Sequence, residues 1–183
     1  MLPTEQRILL KDLAYKTIEQ GLKDSSILAS DLTTFPAELV KPRATFVTLE
    51  KHGQLRGCIG SLEARRPLVQ DVIHNSYAAA FSDPRFPPVN SDELQQIDIH
   101  ISILNPANKI HCQTEQELIE QLRPGIDGLI LEEGSHRATF LPSVWQSLPT
   151  ADSFVKQLKL KAGLNEHYWS DTIRCYRYTT ENF

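Results

Sequence analysis

No stretch of this chain is apolar for long enough to cross a bilayer, which takes about 20 consecutive apolar residues, so no membrane role is expected. The opening "MLPTEQRILLKDLAYK" has charges spread through it and lacks the apolar core of a secretory leader. A cytoplasmic chain is therefore expected. Cysteine is scarce. Cys58, Cys112 and Cys175 are three, odd in number, widely spaced and without a C-x-x-C, which argues against a disulfide framework and for a reducing compartment. The same spacing disfavours structural zinc, because His111 and Cys112 are followed by no second ligand pair. Excess charge of one sign is also missing: 19 Lys and Arg stand against 23 Asp and Glu. With no long basic run, a surface built for phosphate backbones is not expected. Internal repeats and low-complexity segments are absent.

What remains is an ordinary globular composition, 40% hydrophobic and 23% charged, able to bury a core. The length suits one domain, or one domain with a small lobe inserted. Residues 4 to 22 fit a helix with Thr4 as N-cap, Ile8, Leu9, Leu13 and Ile18 near one face, and Gly21 near its C-terminal end. "KDSSILASDLTTFPAELVKPR" reads as an irregular connector. "ATFVTLEKHGQLRGCIGSL" is a hairpin signal in which Gly53 supplies the positive φ of a tight turn. Pro67 opens a helix running to Phe81, which "SDPRFPP" stops. "QIDIHISIL" is a strand with Ile97, Ile99, Ile101 and Ile103 on one face and Asp98, His100 and Ser102 on the other. "TEQELIEQL" is a short helix with Thr114 as N-cap and Glu117 at the capping-box position. A second hairpin turns near "EEGS", a helix over "TADSFVKQLKLKAGL" ends at Gly163, and "TIRCYRYTTENF" is a terminal strand. Hairpins without regular βαβ alternation predict an α+β fold with a largely antiparallel sheet and flanking helices.

"QLRGCIGSL" is the segment that asks for a chemical explanation, because glycine weakens a strand interior. Alternation places Leu55, Gly57 and Ile59 on one face, and Arg56, Cys58 and Gly60 on the other. A guanidinium beside a thiol favours the thiolate, and glycines leave peptide N–H groups uncovered. Nucleophile, cation and bare donors together suggest a small anion or carbonyl site. The competing reading makes Cys58 a small hydrophobe and the glycines a device for close packing. His100 is a candidate base if its face meets Cys58. Asp83 and Arg85 in "SDPRF" are expected to lock a turn through a carboxylate–guanidinium pair, with Arg85 adding positive potential near Cys58 if the helix end returns over the hairpin. Lys156, Lys159 and Lys161 read as a solvated basic stripe, and Trp145, Tyr168 and Trp169 as core or interface aromatics.

"LRGCIG", "AAAFSDPRFPP", "GLILEEGSHRATFLPSVW" and "KLKAGLNEHYW" together resemble the AMMECR domain family, and more narrowly its bacterial AmmeMemoRadiSam system protein A type. The resemblance covers nearly the whole chain and takes Leu55, Arg56, Gly57, Cys58, Ile59 and Gly60 as the family's signature. It implies a single domain over residues 1–183 built of two lobes, the larger holding both termini, with the signature at a cleft between them. It also implies partners, a Memo-like protein and a radical S-adenosylmethionine protein, to which any iron–sulfur chemistry would belong. No cofactor is expected on this chain, whose cysteines are too few for a cluster. Three functions follow: a binding or accessory module with a ligand site formed by residues 55–60, Asp83 and Arg85; a thiol-dependent enzyme using Cys58, Arg56 and His100; or, weakest, a nucleic-acid-binding protein.

Overall fold

The computed structural model describes residues 1–183. The chain divides into two compact units, Met1–Leu104 with Glu181–Phe183, and Asn105–Thr180. Both chain ends belong to the first.

In the first unit, α1 (Thr4–Asp24) is followed by two short 3-10 turns, Leu32–Thr34 and Ala37–Val40, in the irregular connector. Then come β1 (Thr45–Lys51), β2 (Gln54–Gly60), α2 (Leu68–Phe81) and β3 (Ile97–Leu104). With β8 (Thr180–Asn182) these strands form a sheet in the order β2-β1-β3-β8. β1 pairs antiparallel with both neighbours. Residues at alternate positions, Val47 and Leu49 on β1 and Ile99, Ile101 and Ile103 on β3, turn toward the helices and pack on Leu10, Ala14, Ile18, Val69, Val72 and Ile73. This is the period-2 pattern of the isoleucines meeting the 3.6 pattern of the helices.

Two expectations for α1 are corrected. Thr4 is the first helical residue, Pro3 occupies the cap position, and no side chain caps the helix. Gly21 does not end the helix but lies buried within it, where a Cβ would strike the rings of Phe81 and Tyr77 on α2. The absent side chain lets the two helices approach, and the left-handed residue that stops α1 is Ser25. A buried network ties α2 to the sheet. Asp71 accepts from the Thr45 N–H at 2.9 Å, the Thr45 hydroxyl at 2.8 Å and Asn75 at 3.0 Å.

The second unit holds β4 (Asn108–Ile110), α3 (Glu115–Gln121), β5 (Gly128–Glu133), β6 (His136–Phe140), α4 (Ala151–Lys161) and β7 (Arg174–Tyr178). Its sheet runs β4-β7-β5-β6, every pairing antiparallel. α3 begins as the sequence reads: Thr114 Oγ1 accepts from the Glu117 N–H at 3.2 Å, and the Glu117 carboxylate reaches back to the Gln113 N–H at 2.8 Å. Trp145 is buried, stacked on Phe154 at 3.9 Å and 4°. Lys159 is the correction here. It is 0% exposed, with both oxygens of Glu115 at 2.8 Å, so it leaves the basic stripe, whereas Lys156 and Lys161 reach solvent. The terminal strand is likewise two strands in two sheets, β7 and β8, separated by Thr179. Asn105 bonds that residue twice, N–H to carbonyl at 2.9 Å and side chain to side chain at 2.7 Å. The two ends of the second unit therefore lie side by side.

Candidate functional site

The signature hairpin starts from a two-residue turn. His52 at φ 53° and Gly53 at φ 72° give the type I′ geometry that matches the twist of paired strands, with Lys51 opposite Gln54. Plain antiparallel counting from that turn would set Leu49 against Arg56 and Val47 against Cys58, turning arginine and cysteine into the core. The observed pairs are instead Glu50 with Leu55, Leu49 with Gly57, Thr48 with Cys58 and Val47 with Ile59. Arg56 is the extra residue of a β-bulge. The bulge turns Gly57 inward and Cys58 outward, and it puts Leu55 on the outer face with Cys58, not on the face of Gly57 as alternation predicts.

The two glycines serve packing on opposite faces. A Cβ at Gly57 would run into the carbonyl oxygen of Ala79 on α2, and one at Gly60 into the Phe46 ring and the Thr45 carbonyl. Each neighbour sits where a side chain would have been.

Arg56 does not stand beside the thiol. Its Nε and Nη2 donate to the two carboxylate oxygens of Glu93 at 3.0 and 2.9 Å, and Lys51 Nζ joins at 3.1 Å. The arginine side chain is 11% exposed, and its buried Nη1 has no partner. This fork, the Arg56 hydrogen bonds above all, pulls the Glu93 carboxyl down to about 2 and holds the guanidinium charged.

The cation next to Cys58 is Arg85. Asp83 is buried at the end of α2 and accepts from Arg85 Nε at 3.0 Å and Nη2 at 2.7 Å, which locks the turn as expected. It also accepts from the Cys58 N–H at 2.9 Å, while Arg85 Nη2 donates to the Cys58 carbonyl at 3.1 Å. These contacts hold the Asp83 carboxyl far below the usual carboxylate range, Arg85 being the chief cause. The Arg85 side chain is 53% exposed. Because β2 is an edge strand, the Asp83–Arg85 pair occupies the backbone positions that another strand would take. The Cys58 N–H is thus spent and is not a bare oxyanion donor.

Cys58 itself is half-buried, and the Thr48 hydroxyl lies 3.3 Å from its sulfur. Thr48 is flanked on its other side by His100, so Cys58, Thr48 and His100 form one row across three strands. His100 is two strand spacings, roughly 10 Å, from Cys58. Its Nε2 lies 3.5 Å from Glu50, and half of its side chain is exposed. The structure therefore brings Cys58 to Arg85 and Thr48, and leaves Arg56 and His100 elsewhere. Thr48 follows from the register once the bulge is known; Glu93 carries no local sequence signal.

The arrangement is a thiol beside a hydroxyl donor, with an anchored guanidinium on the same residue's carbonyl, the Asp83 carboxylate taken up by Arg85, and His100 beyond Thr48. It can hold a small group bearing acceptor atoms, such as a carbonyl or carboxylate.

The AMMECR1 family model matches residues 11–183. Similar proteins include one from Methanothermobacter thermautotrophicus, 37% identical over 98% of this chain and 93% of its own length. Another, from Thermotoga maritima, is 38% identical over 93% of this chain and 94% of its own. Among solved structures, an uncharacterized protein of Pyrococcus horikoshii superposes with a TM-score of 0.86 at 32% identity, covering 95% of this chain and 88% of that one.

Proposed function

From the premise that this chain belongs to the AMMECR1 family, we propose that it is a binding or accessory module rather than an enzyme acting alone. We place it with the bacterial AmmeMemoRadiSam system protein A type, working in the cytoplasm with a Memo-like protein and a radical S-adenosylmethionine protein. Its ligand sits on the outer face of β2, at Cys58, Thr48 and the Arg85 guanidinium. The observation that carries this reading is where the candidate base sits: His100 lies across Thr48 from the thiol, against Glu50. A nucleophile parted from its candidate base is poorly equipped for turnover, whereas paired, rigidly held charges suit recognition.

The test is co-purification with the two partner proteins, using wild type, Cys58→Ser and Leu55→Asp. Leu55 is 45% exposed on the same face as Cys58, so its replacement leaves the core untouched. Capture of a partner by wild type and its loss in Leu55→Asp, at unchanged melting temperature, is the expected result. Capture of neither partner, by wild type in the presence of the other, sinks the proposal.

A second reading is favoured by one contact. Arg85 Nη2 donates to the Cys58 carbonyl at 3.1 Å, so a guanidinium accompanies the residue that bears the thiol, a setting in which thiols act as nucleophiles. It expects iodoacetamide to label Cys58 well ahead of Cys112 and Cys175, and Arg85→Ala to slow that labelling at least several-fold. Equal labelling of wild type and Arg85→Ala removes it.

A further inference from the structure

The second unit carries a pair of thiols that the signature does not use. Cys175 on β7 lies opposite Ile110 on β4, and Cys112 follows two residues later, just past the end of that strand. Both side chains belong to the same apolar cluster, Cys175 buried within it and Cys112 packed against it. Counting on from the Ile110–Cys175 pair makes the two cysteines diagonal neighbours on one face of the β4–β7 ladder, within side-chain reach of each other. Their solvent access differs. Cys175 is 1% exposed, whereas Cys112 lines a cavity of about 520 Å³ with Lys109, His111, Gln113, Glu117 and Asp171. A small polar oxidant can enter by that route, and it meets Cys112 first.

We propose that Cys112 and Cys175 are an oxidisable dithiol, in which Cys112 takes the attack of a peroxide-class oxidant and Cys175 resolves it to a disulfide. In the first step the Cys112 sulfur attacks hydrogen peroxide. An S–O bond forms, the O–O bond breaks, and the departing hydroxide takes the thiol proton to leave as water, giving a sulfenic acid at Cys112. In the second, the Cys175 sulfur attacks the sulfenic sulfur. The S–S bond forms, the S–O bond breaks, and hydroxide leaves with the Cys175 proton as a second water. Two thiols are oxidised and one peroxide is reduced. The bond would close the stretch from 112 to 175, which holds α3, β5, β6 and α4 and so nearly the whole unit. Burial pushes both thiols up, Cys175 to about 12, so the pair stays reduced through brief exposure and closes under sustained oxidant.

The experiment uses the full chain carrying Cys58→Ser, to prevent thiol exchange with the signature. After prolonged exposure to hydrogen peroxide and denaturation, both remaining thiols should fail to react with a chromogenic thiol reagent. Non-reducing digestion should yield the Cys112 peptide joined to the Cys175 peptide within one chain. The melting temperature should rise by several degrees and return on treatment with dithiothreitol. Cys112→Ser, altered at the cavity wall rather than in the core, should show no reversible rise. Thiols that remain reactive, a Cys112 carried on to sulfinic acid, or links only between chains would each overturn the proposal.

Discussion

A methyl group added at position 57 would point into the Ala79 carbonyl oxygen, and neither an edge of backbone nor a helix can retreat cheaply. Gly57→Ala is expected to cost about 3 kcal/mol, read as a lower urea midpoint at unchanged slope. Gly53→Ala meets nothing in space but keeps a φ of 72°, so its cost should be about 1 kcal/mol. A second residue-scale prediction concerns acid. Glu93 is pulled from 4.5 down to about 2 by Arg56. Between those values the unfolded chain binds a proton that the folded one refuses, so the stabilisation is complete above the upper value and drains away as pH falls toward the lower. Asp83 acts with the same sign. Asp71, raised by burial, acts with the opposite one. Glu93→Gln should therefore lose stability at about pH 7, on the order of 2 kcal/mol, and differ much less from wild type at about pH 3. Urea melts at both pH values check this.

At the scale of elements, the β2 edge and the bulge matter most. Asp83→Ala would free the Cys58 N–H and unseat Arg85 together. An uncovered strand edge pairs with other chains, so light scattering should show association in Asp83→Ala that wild type lacks, and the Cys58 amide should exchange faster. Much of this scale is legible in the sequence. The isoleucine alternation of β3, the His52–Gly53 turn, the stop at "SDPRFPP" and the Thr114 cap are all local signals. The bulge is not, because an extra residue leaves composition and periodicity nearly intact, and it reverses the face that alternation assigns to Leu55. The surroundings of Arg56 are hidden for a related reason. Its partner Glu93 lies 37 positions away, and a charged residue in a strand gives no sign of which distant carboxylate will meet it. The burial of Lys159 is hidden likewise, since Glu115 is 44 positions off.

For the molecule as a whole, the two cores make separate demands. Phe154 is fully buried and stacked on Trp145 in the second unit. Phe154→Ala is expected to cost about 3–5 kcal/mol, and hydrogen exchange should show the Leu129 and Leu131 amides losing protection while those of Val47 and Ile101 keep theirs. The bonds between Asn105 and Thr179 have a broader consequence. They bring the entry and exit of the second unit to one point, which makes residues 105–180 a cassette spliced into an otherwise continuous chain. A brief glycine–serine bridge from Leu104 to Glu181 should excise it and leave the signature hairpin folded, so that gain or loss of such a cassette in one genetic event would spare everything the first unit does.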